Sequence, residues 1–572
     1  MKKKLITLLT VALSGMLILS GCGGGGSTTQ QPETPSGEVV ISDAVEGYIA
    51  AADPTTNTVS GREDTLVIGI TAPEEVFNPL YAESAYDAYI VDSIFNAMLT
   101  VDEAGMPITS LAESYEVSDD KLTYTFKLKS DLKFSDGSPL TTEDVAFTYT
   151  LLADPNYVGP IDVVYGTKIK GALEYKESTA TSVEGINVVD PTTIEFTLNE
   201  VNADALYDFT AGILSKAYYG ADYSQGNIDY IKNFHKTPLG AGPYALVETK
   251  AGQEVVLKSN EYYHLGEPKI PNLIYKVTSD ETNMQMLQTG EIDMDMISVS
   301  EDNVNMLKEA LFLDLHIFPT NGYGYIGMNL ENPKFQDVAV RQALAYGLNR
   351  AEVVEAEFTG GFADVINVPQ SKESWAYSEG ENSYEFNTEK AKELLDEAGW
   401  VVGADGIREK DGVKLEIKFT ASTPNSVNEA LIPIATQNYE ELGIKFVAEQ
   451  MDFNAVREKV DSGNFEMYFM AWGLTPSPDA TGILGSNGVQ NKTGYSNEEV
   501  DRLFAAGLKE TDVDARKEIY AEVYQILNED LPYIFLYQRR DMWVVNSRVK
   551  GFENEITPYK KFTESLHLLT LE

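Results

Sequence analysis

The sequence is short of the residues on which cross-links and most catalytic sites depend. It has one cysteine, Cys22, so no disulfide can form within the chain. Its four histidines are far apart, and no HExxH or CxxC pair indicates a metal site. It has neither a GxxxxGKS/T phosphate-binding loop nor a GxSxG nucleophile motif. We therefore predict no catalytic residue, no metal and no cofactor, and a secreted hydrolase built from distant residues is the remotest alternative.

Positive charge is also scarce, with 43 lysines and arginines against 89 aspartates and glutamates and a formal net charge of -46. Such a chain repels phosphate groups, which argues against nucleic acid and anionic lipid as partners. Its hydrophobic content of 43% is enough for globular packing. Because 572 residues are too many for one hydrophobic core, we expect at least two domains.

The N-terminus has the composition of a secretion signal. Three lysines precede an apolar run from Leu5 to Leu19, which is shorter than the roughly 20 residues of a membrane-spanning helix. Leu19-Ser20-Gly21-Cys22 resembles the bacterial lipobox, whose cysteine is acylated; the alternative is an ordinary signal with a chance cysteine. We expect a signal peptide over 1–21, lipid attachment at Cys22 and a flexible, glycine-rich linker over 22–62.

The stretch from Leu111 to Leu152 has the clearest local pattern. Apolar and polar residues alternate over Leu122–Lys129, which predicts a strand with one buried face. A turn follows over Phe134–Pro139. Thr141 then begins a helix, with Asp144 completing a capping box. Its apolar stripe is Val145, Tyr149 and Leu152.

The amino-acid sequence of this stretch resembles that of a known family. Leu-Thr-Tyr-Thr-Phe, Lys-Phe-Ser-Asp-Gly and Leu-Thr-Thr-Glu-Asp-Val are similar to the signature of the family 5 extracellular solute-binding proteins. These are the oligopeptide, dipeptide and nickel receptors of bacterial ABC importers. Further landmarks follow in the family's order between residues 64 and 540, namely Pro238–Tyr244, Leu287–Asp293, Phe335–Arg350, Ala391–Trp400, Phe465–Gly473 and Asp530–Tyr537.

The resemblance implies an α/β fold with two lobes, similar to the periplasmic binding proteins of type II, cluster C, and an extra subdomain in the first lobe. We expect crossovers near Phe318 and Arg540. The predicted domain bounds are 63–105, 231–317 and 541–572 for lobe 1, 106–230 for its subdomain, and 318–540 for lobe 2.

The resemblance also implies a ligand site between the lobes. The expected contacts are Asn78, Tyr323, Ala471, Trp472, Gly473, Thr475 and Asp479. Peptide-binding relatives have an aspartate three residues after the tryptophan, which pairs with the peptide's α-amine. Here Thr475 occupies that position and Asp479 is the nearest acid. Asn78 is equally well explained as the start of an Asn-Pro turn.

We therefore predict a monomeric, lipid-anchored receptor outside the cytoplasm that delivers peptides to a membrane permease with cytoplasmic ATPases. The alternative ligands are an oligosaccharide or a nickel complex, since Trp472 can stack on a sugar as well as on a peptide.

Two further expectations concern charged side chains. Asp293 and Asp295 alternate in a predicted strand, and we expect them on a solvated face. Arg341 is expected on a helix surface.

Overall fold

The structure is a computed structural model that describes residues 47–57, 59, 61–552 and 556–572. The predicted signal peptide, Cys22 and the linker up to residue 46 lie outside the described residues. Part of the remaining linker is folded, because Gly47–Ile49 is a strand that pairs with Leu315–Ile317. Within the described residues, no helix has both the length and the apolar character needed to cross a bilayer.

Strands and helices are both spread over the described residues, in short runs of one type as well as in alternation. The strands are β1 Gly47–Ile49, β2 Thr65–Ile70, β3 Leu99–Val101, β4 Pro107–Thr109, β5 Ala112–Val117, β6 Thr123–Leu128, β7 Ile186–Asp190, β8 Thr193–Thr197, β9 Tyr244–Lys250, β10 Glu254–Ser259, β11 Asn272–Val277, β12 Met294–Ile297, β13 Leu313–Pro319, β14 Gly322–Met328, β15 Ala363–Asp364, β16 Val401–Val402, β17 Arg408–Lys410, β18 Val413–Lys414, β19 Glu416–Ser422, β20 Lys445–Met451, β21 Met467–Gly473, β22 Tyr533–Asn546, β23 Val549–Lys550 and β24 Thr570–Leu571. The α-helices are α1 Ala85–Ile94, α2 Thr142–Leu152, α3 Ala172–Lys176, α4 Ala205–Asp208, α5 Lys216–Tyr219, α6 Asn283–Gln288, α7 Glu301–Lys308, α8 Val338–Tyr346, α9 Arg350–Glu357, α10 Thr388–Glu397, α11 Ser426–Glu441, α12 Phe453–Asp461, α13 Thr481–Leu484, α14 Glu498–Gly507 and α15 Val513–Asp530.

One large mixed sheet runs through both lobes, with the main strand order β20-β19-β21-β14-β22-β12-β2-β11-β10-β9. The long strand β22 joins the lobes, because residues 533–537 pair with β14 and residues 540–546 pair with β13. The chain crosses again between β13 and β14, at Thr320 and Asn321. Both crossings lie close to Phe318 and Arg540, and the two-lobed α/β fold is confirmed.

Each lobe has its own hydrophobic core. The first core joins β2, α1, the separate sheet β5-β6-β8-β7 and the C-terminal tail. The second core is built from residues between Tyr323 and Tyr537. A smaller cluster, which includes Val67 and Leu315, packs against the sheet of the first lobe. The bounds given above for the lobes and the subdomain stay a prediction.

The local pattern in the stretch from Leu111 to Leu152 folds as predicted. Tyr124, Phe126 and Leu128 of β6 are buried, while Lys127 is exposed. Gly137 has a φ of 85°, which a turn tolerates at glycine. Thr141 and Asp144 form the capping box at the start of α2. The apolar stripe Val145, Tyr149 and Leu152 is fully buried.

The prediction of a solvated face for Asp293 and Asp295 was wrong, since their exposed fractions are 0% and 5%. Asp293 accepts hydrogen bonds from Arg548 Nε at 2.8 Å, from Arg62 Nη1 at 3.1 Å and from the Val67 amide at 2.9 Å. The strand β12 that follows lies between β2 and β22, and successive residues Met294 and Asp295, which point to opposite faces, are both buried. An alternating pattern does not distinguish an interior strand from one with a wet face.

Arg341 is also buried, at 6% exposed, and not on the surface. Its Nη1 donates to the Phe335 carbonyl at 2.8 Å and its Nε donates to the Asp530 carbonyl at 2.7 Å. The guanidinium therefore satisfies backbone carbonyls at the ends of two segments, which a helical periodicity cannot reveal.

Candidate functional site

The end of β21 is an incompletely paired strand edge. β21 pairs along its length with β14, where Trp472 faces Tyr323 in the register. On its other side β19 pairs only with Met467 and Tyr468. The backbone from residue 469 to 473 therefore has no strand partner on that side among the described residues. Such an edge can accept an added extended segment.

The aromatic residues beside this edge are held rigidly by the second core. Tyr323 is 3% exposed and packs against Tyr325 and Phe535. The Trp472 indole stacks on the Tyr325 ring, with the planes at 1° and the centroids 6.1 Å apart. Ala471 and Gly473 are exposed. Trp472 thus has one face supported by a neighbouring ring.

A cavity of about 580 Å³, the main cavity, lies where the loop after β21 meets the first lobe. The second lobe contributes Thr475, Pro476 and Ser477. The first lobe and the C-terminal tail contribute most of the polar wall, including Asp92, Asp204, Tyr207, Asp208, Tyr263, Lys561, Thr563 and Glu564. A cavity of this size is typical of small-ligand sites.

A neighbouring cavity of about 510 Å³, the side cavity, is lined by residues of both lobes that include Tyr115, Trp375 and Arg516. Tyr207 lines both cavities. The two cavities are therefore separated by the segment that carries Asp204 and Tyr207.

Contacts across the lobes surround this segment. Arg516 of α15 forms an ion pair with Asp204, and the Ser477 hydroxyl donates to the same carboxylate. The Trp375 indole donates to the Tyr207 hydroxyl at 3.1 Å. The Arg516 guanidinium also lies 5.4 Å from the centre of the Trp375 ring, within range of a cation–π interaction.

The predicted site residues are only partly brought together. Tyr323, Ala471, Trp472 and Gly473 lie on adjacent strands, and Thr475 lines the main cavity. Asn78 is 1% exposed and accepts a hydrogen bond from the Leu80 amide, while its neighbour Pro79 lines the main cavity. Asp479 is not among the lining residues and accepts from Thr481. Burial raises the pKa of Asp479 to about 6.

Sequence reasoning missed most of the charged wall. Asp204, Asp208, Trp375 and Arg516 belong to no landmark, and the tail residues follow the last one. A weak signal existed in the tail, where Lys560 and Lys561 interrupt an otherwise acidic chain. The contacts themselves join residues up to 469 positions apart, which no local pattern encodes.

Comparison with known proteins identifies the family. The model of the bacterial extracellular solute-binding proteins, family 5, matches residues 107–494, more than half of the chain. The chain belongs to this family. Solute-binding proteins of family 5 serve transport and are not a family of enzymes.

Relatives of known fold match almost the whole described chain. The oligopeptide-binding protein AppA of Bacillus subtilis is 27% identical over 579 residues, which cover 96% of each chain. The structure of AppA in complex with a nonapeptide has a TM-score of 0.69, at 89% coverage of this chain and 99% of that chain. NikZ from Campylobacter jejuni, in complex with Ni(L-His), has a TM-score of 0.71 and 25% identity, at the same coverage. The resemblance stated from the sequence is confirmed.

Proposed function

We propose that this protein is the substrate-binding component of an ABC importer and captures peptides between its lobes. The observation that carries the proposal is the open edge of β21 beside the main cavity. A peptide laid along residues 469–473 would form main-chain hydrogen bonds that do not depend on its side chains. The similarity to AppA, which is named for oligopeptide binding, supports the same ligand class.

A non-peptide ligand is the second candidate, and one observation favours it. NikZ, of equal coverage, holds Ni(L-His), so the fold also accommodates a small metal complex. The polar wall of the main cavity would suit such a ligand as well as it suits a peptide.

We expect peptide binding to stabilise the protein and to draw the lobes together. A ligand held by both lobes favours the closed form. By mass action it adds about 2.7 kcal/mol to the free energy of unfolding at a ligand concentration of 100 times Kd, and this raises the melting temperature. Thermal unfolding and small-angle scattering, with and without a tetrapeptide to nonapeptide mixture, measure both effects. A mixture that changes neither quantity, together with stabilisation by Ni(L-His), would favour the second candidate.

We also propose that Cys22 carries a lipid that anchors the receptor to the cell membrane, outside the cytoplasm. There the receptor would act as a monomer that docks on permease subunits, which cytoplasmic ATPases drive. Cys22→Ala is expected to release the protein from membranes of its host, because the acyl chains are the anchor. Fractionation of cells that express each form measures this release. Equal membrane retention of the two forms would refute the anchor.

A further inference from the structure

The main cavity contains more carboxyl groups than ion pairs that hold them. Four carboxylates line it: Asp92, Asp204, Asp208 and Glu564. Asp92 pairs with Lys561 at 2.8 Å, and Asp204 pairs with Arg516. Asp208 and Glu564 form no ion pair within the described residues. Asp208 accepts from the Thr167 hydroxyl at 2.7 Å, and Glu564 accepts from the Thr100 hydroxyl at 2.9 Å.

The two unpaired carboxylates belong to adjoining segments of the cavity wall. The Leu99 amide donates to the Phe209 carbonyl at 3.3 Å, which ties the residue after Asp208 to β3. Thr100, the next residue of β3, donates to Glu564. The segments that carry Asp208 and Glu564 are therefore neighbours in the wall of the main cavity.

A second observation points to a missing hydrogen-bond donor at the same wall. Thr563 lines the main cavity and is 2% exposed, yet its Oγ1 has no hydrogen-bond partner in the described part of the chain. Asn96 also lines the cavity, and its Nδ2 donates to Ser110 while its Oδ1 accepts no hydrogen bond there. Buried oxygens without partners are costly, so donors supplied by a ligand would be favoured.

The electrostatics agree with this arrangement. Burial raises the pKa of Asp208 to about 7, and the charges of Asp204 and Asp162 add to the shift. Burial likewise raises the pKa of Glu564 to about 7, with Asp92 raising it further and the lysines at 560 and 561 lowering it. With a pKa of about 7, each carboxyl is about half protonated at neutral pH, and a cation beside it would displace the proton.

We propose that Asp208 and Glu564, assisted by the Thr563 hydroxyl, form a subsite for a positively charged nitrogen of the ligand. This rests on the proposed function and narrows the substrate class to peptides that present an ammonium or guanidinium group there. The group is either the α-amine or a basic side chain. In this proposal the charge comes from the first lobe and the tail, because Thr475, Pro476 and Ser477, which the second lobe contributes to the main cavity, are uncharged.

Calorimetry with four tetrapeptides separates the two sources of positive charge. The probes are tetraalanine, N-acetyl-tetraalanine, and N-acetylated tetrapeptides with one lysine or one glutamate. If the α-amine binds the subsite, acetylation of tetraalanine weakens binding about tenfold or more. If a side chain binds, the acetylated lysine peptide binds about tenfold more tightly than acetylated tetraalanine, and the glutamate peptide binds most weakly.

The variants Asp208→Asn and Glu564→Gln keep shape and remove charge. Each is expected to reduce the preference for the cationic peptide to about threefold or less, measured as the ratio of its affinity to that of N-acetyl-tetraalanine in the same variant. Lys236→Gln is the matched control, because Lys236 is exposed and pairs with Glu75 away from the main cavity.

The pH dependence tests the subsite in the unmodified protein. The acetylated lysine peptide keeps its charge from pH 6 to 8, whereas a carboxyl with a pKa of about 7 goes from about one-tenth to nine-tenths ionised. If a basic side chain occupies the subsite, the affinity of this peptide should therefore rise about tenfold over this range, with proton release at pH 7. Equal affinity for all four peptides at both pH values would overturn the subsite while leaving peptide binding intact. Failure of every peptide to bind would overturn the proposed function itself.

Discussion

Replacing Asp293 with alanine is expected to lower the free energy of unfolding by about 3–5 kcal/mol. The carboxylate is fully buried and binds both Arg548 and Arg62, with Arg548 itself only 8% exposed. Its removal leaves a buried guanidinium without its counter-ion and the Val67 amide without its acceptor. Breaking a buried pair from one side costs far more than the pair contributes, because the remaining charge stays in the core.

Urea unfolding followed by circular dichroism measures this loss, as a midpoint lower by about 1 M or more. Glu291→Ala is the matched control, because Glu291 is two residues away and its carboxylate pairs with Lys276 at the surface. An exposed ion pair of this kind contributes about 0–1 kcal/mol. Equal midpoints for the two variants would show that the buried ion pairs of Asp293 contribute no more to stability than the exposed pair of Glu291.

The same residue shows which parts of the fold the sequence can predict. The strand at Leu122–Lys129 and the capping box of Thr141 depend on neighbours within four residues, so their patterns are visible locally. Asp293 depends on Arg548, which is 255 positions away. Its local pattern fits a strand with one solvent-exposed face as well as it fits an interior strand, and only the position of the strand in the sheet decides between the two.

The candidate site likewise has one part that the sequence predicts and another part that it does not. The family resemblance predicted the strand end at Trp472 as part of the site, because that segment has a recognisable sequence motif. The acidic wall of the main cavity has none, since Asp208 lies on a four-residue helix and Glu564 on a short 3-10 turn of the tail. These residues become a site only when the tail returns to the first lobe. The resemblance implied that return, but it did not imply which side chains the tail brings.

Arg516→Ala is expected to weaken ligand binding by roughly 30- to 100-fold, because it removes a contact that joins the lobes. The guanidinium is buried, pairs with Asp204 of the first lobe and packs over Trp375. A hydrogen-bonded charge pair of this kind contributes about 2–3 kcal/mol, which is lost from the closed form alone. The closed form is then less populated at every ligand concentration.

Calorimetry with N-acetyl-tetraalanine and small-angle scattering test this expectation. A neutral probe is needed, since freeing Asp204 makes the main cavity more negative and would favour a cationic ligand. Scattering without ligand should give a larger radius of gyration for Arg516→Ala.

Lys121→Ala is the matched control, because Lys121 reaches Glu510 across the same interface at 3.8 Å and both side chains are partly exposed. Such a pair contributes little, so its affinity should stay within about threefold of the unmodified protein. Arg516 also donates to the Gly507 carbonyl inside its own lobe. Circular dichroism must therefore show that Arg516→Ala is folded before a loss of affinity is assigned to the lobe contact. A folded Arg516→Ala protein with unchanged affinity and radius would mean that the lobes close without this ion pair.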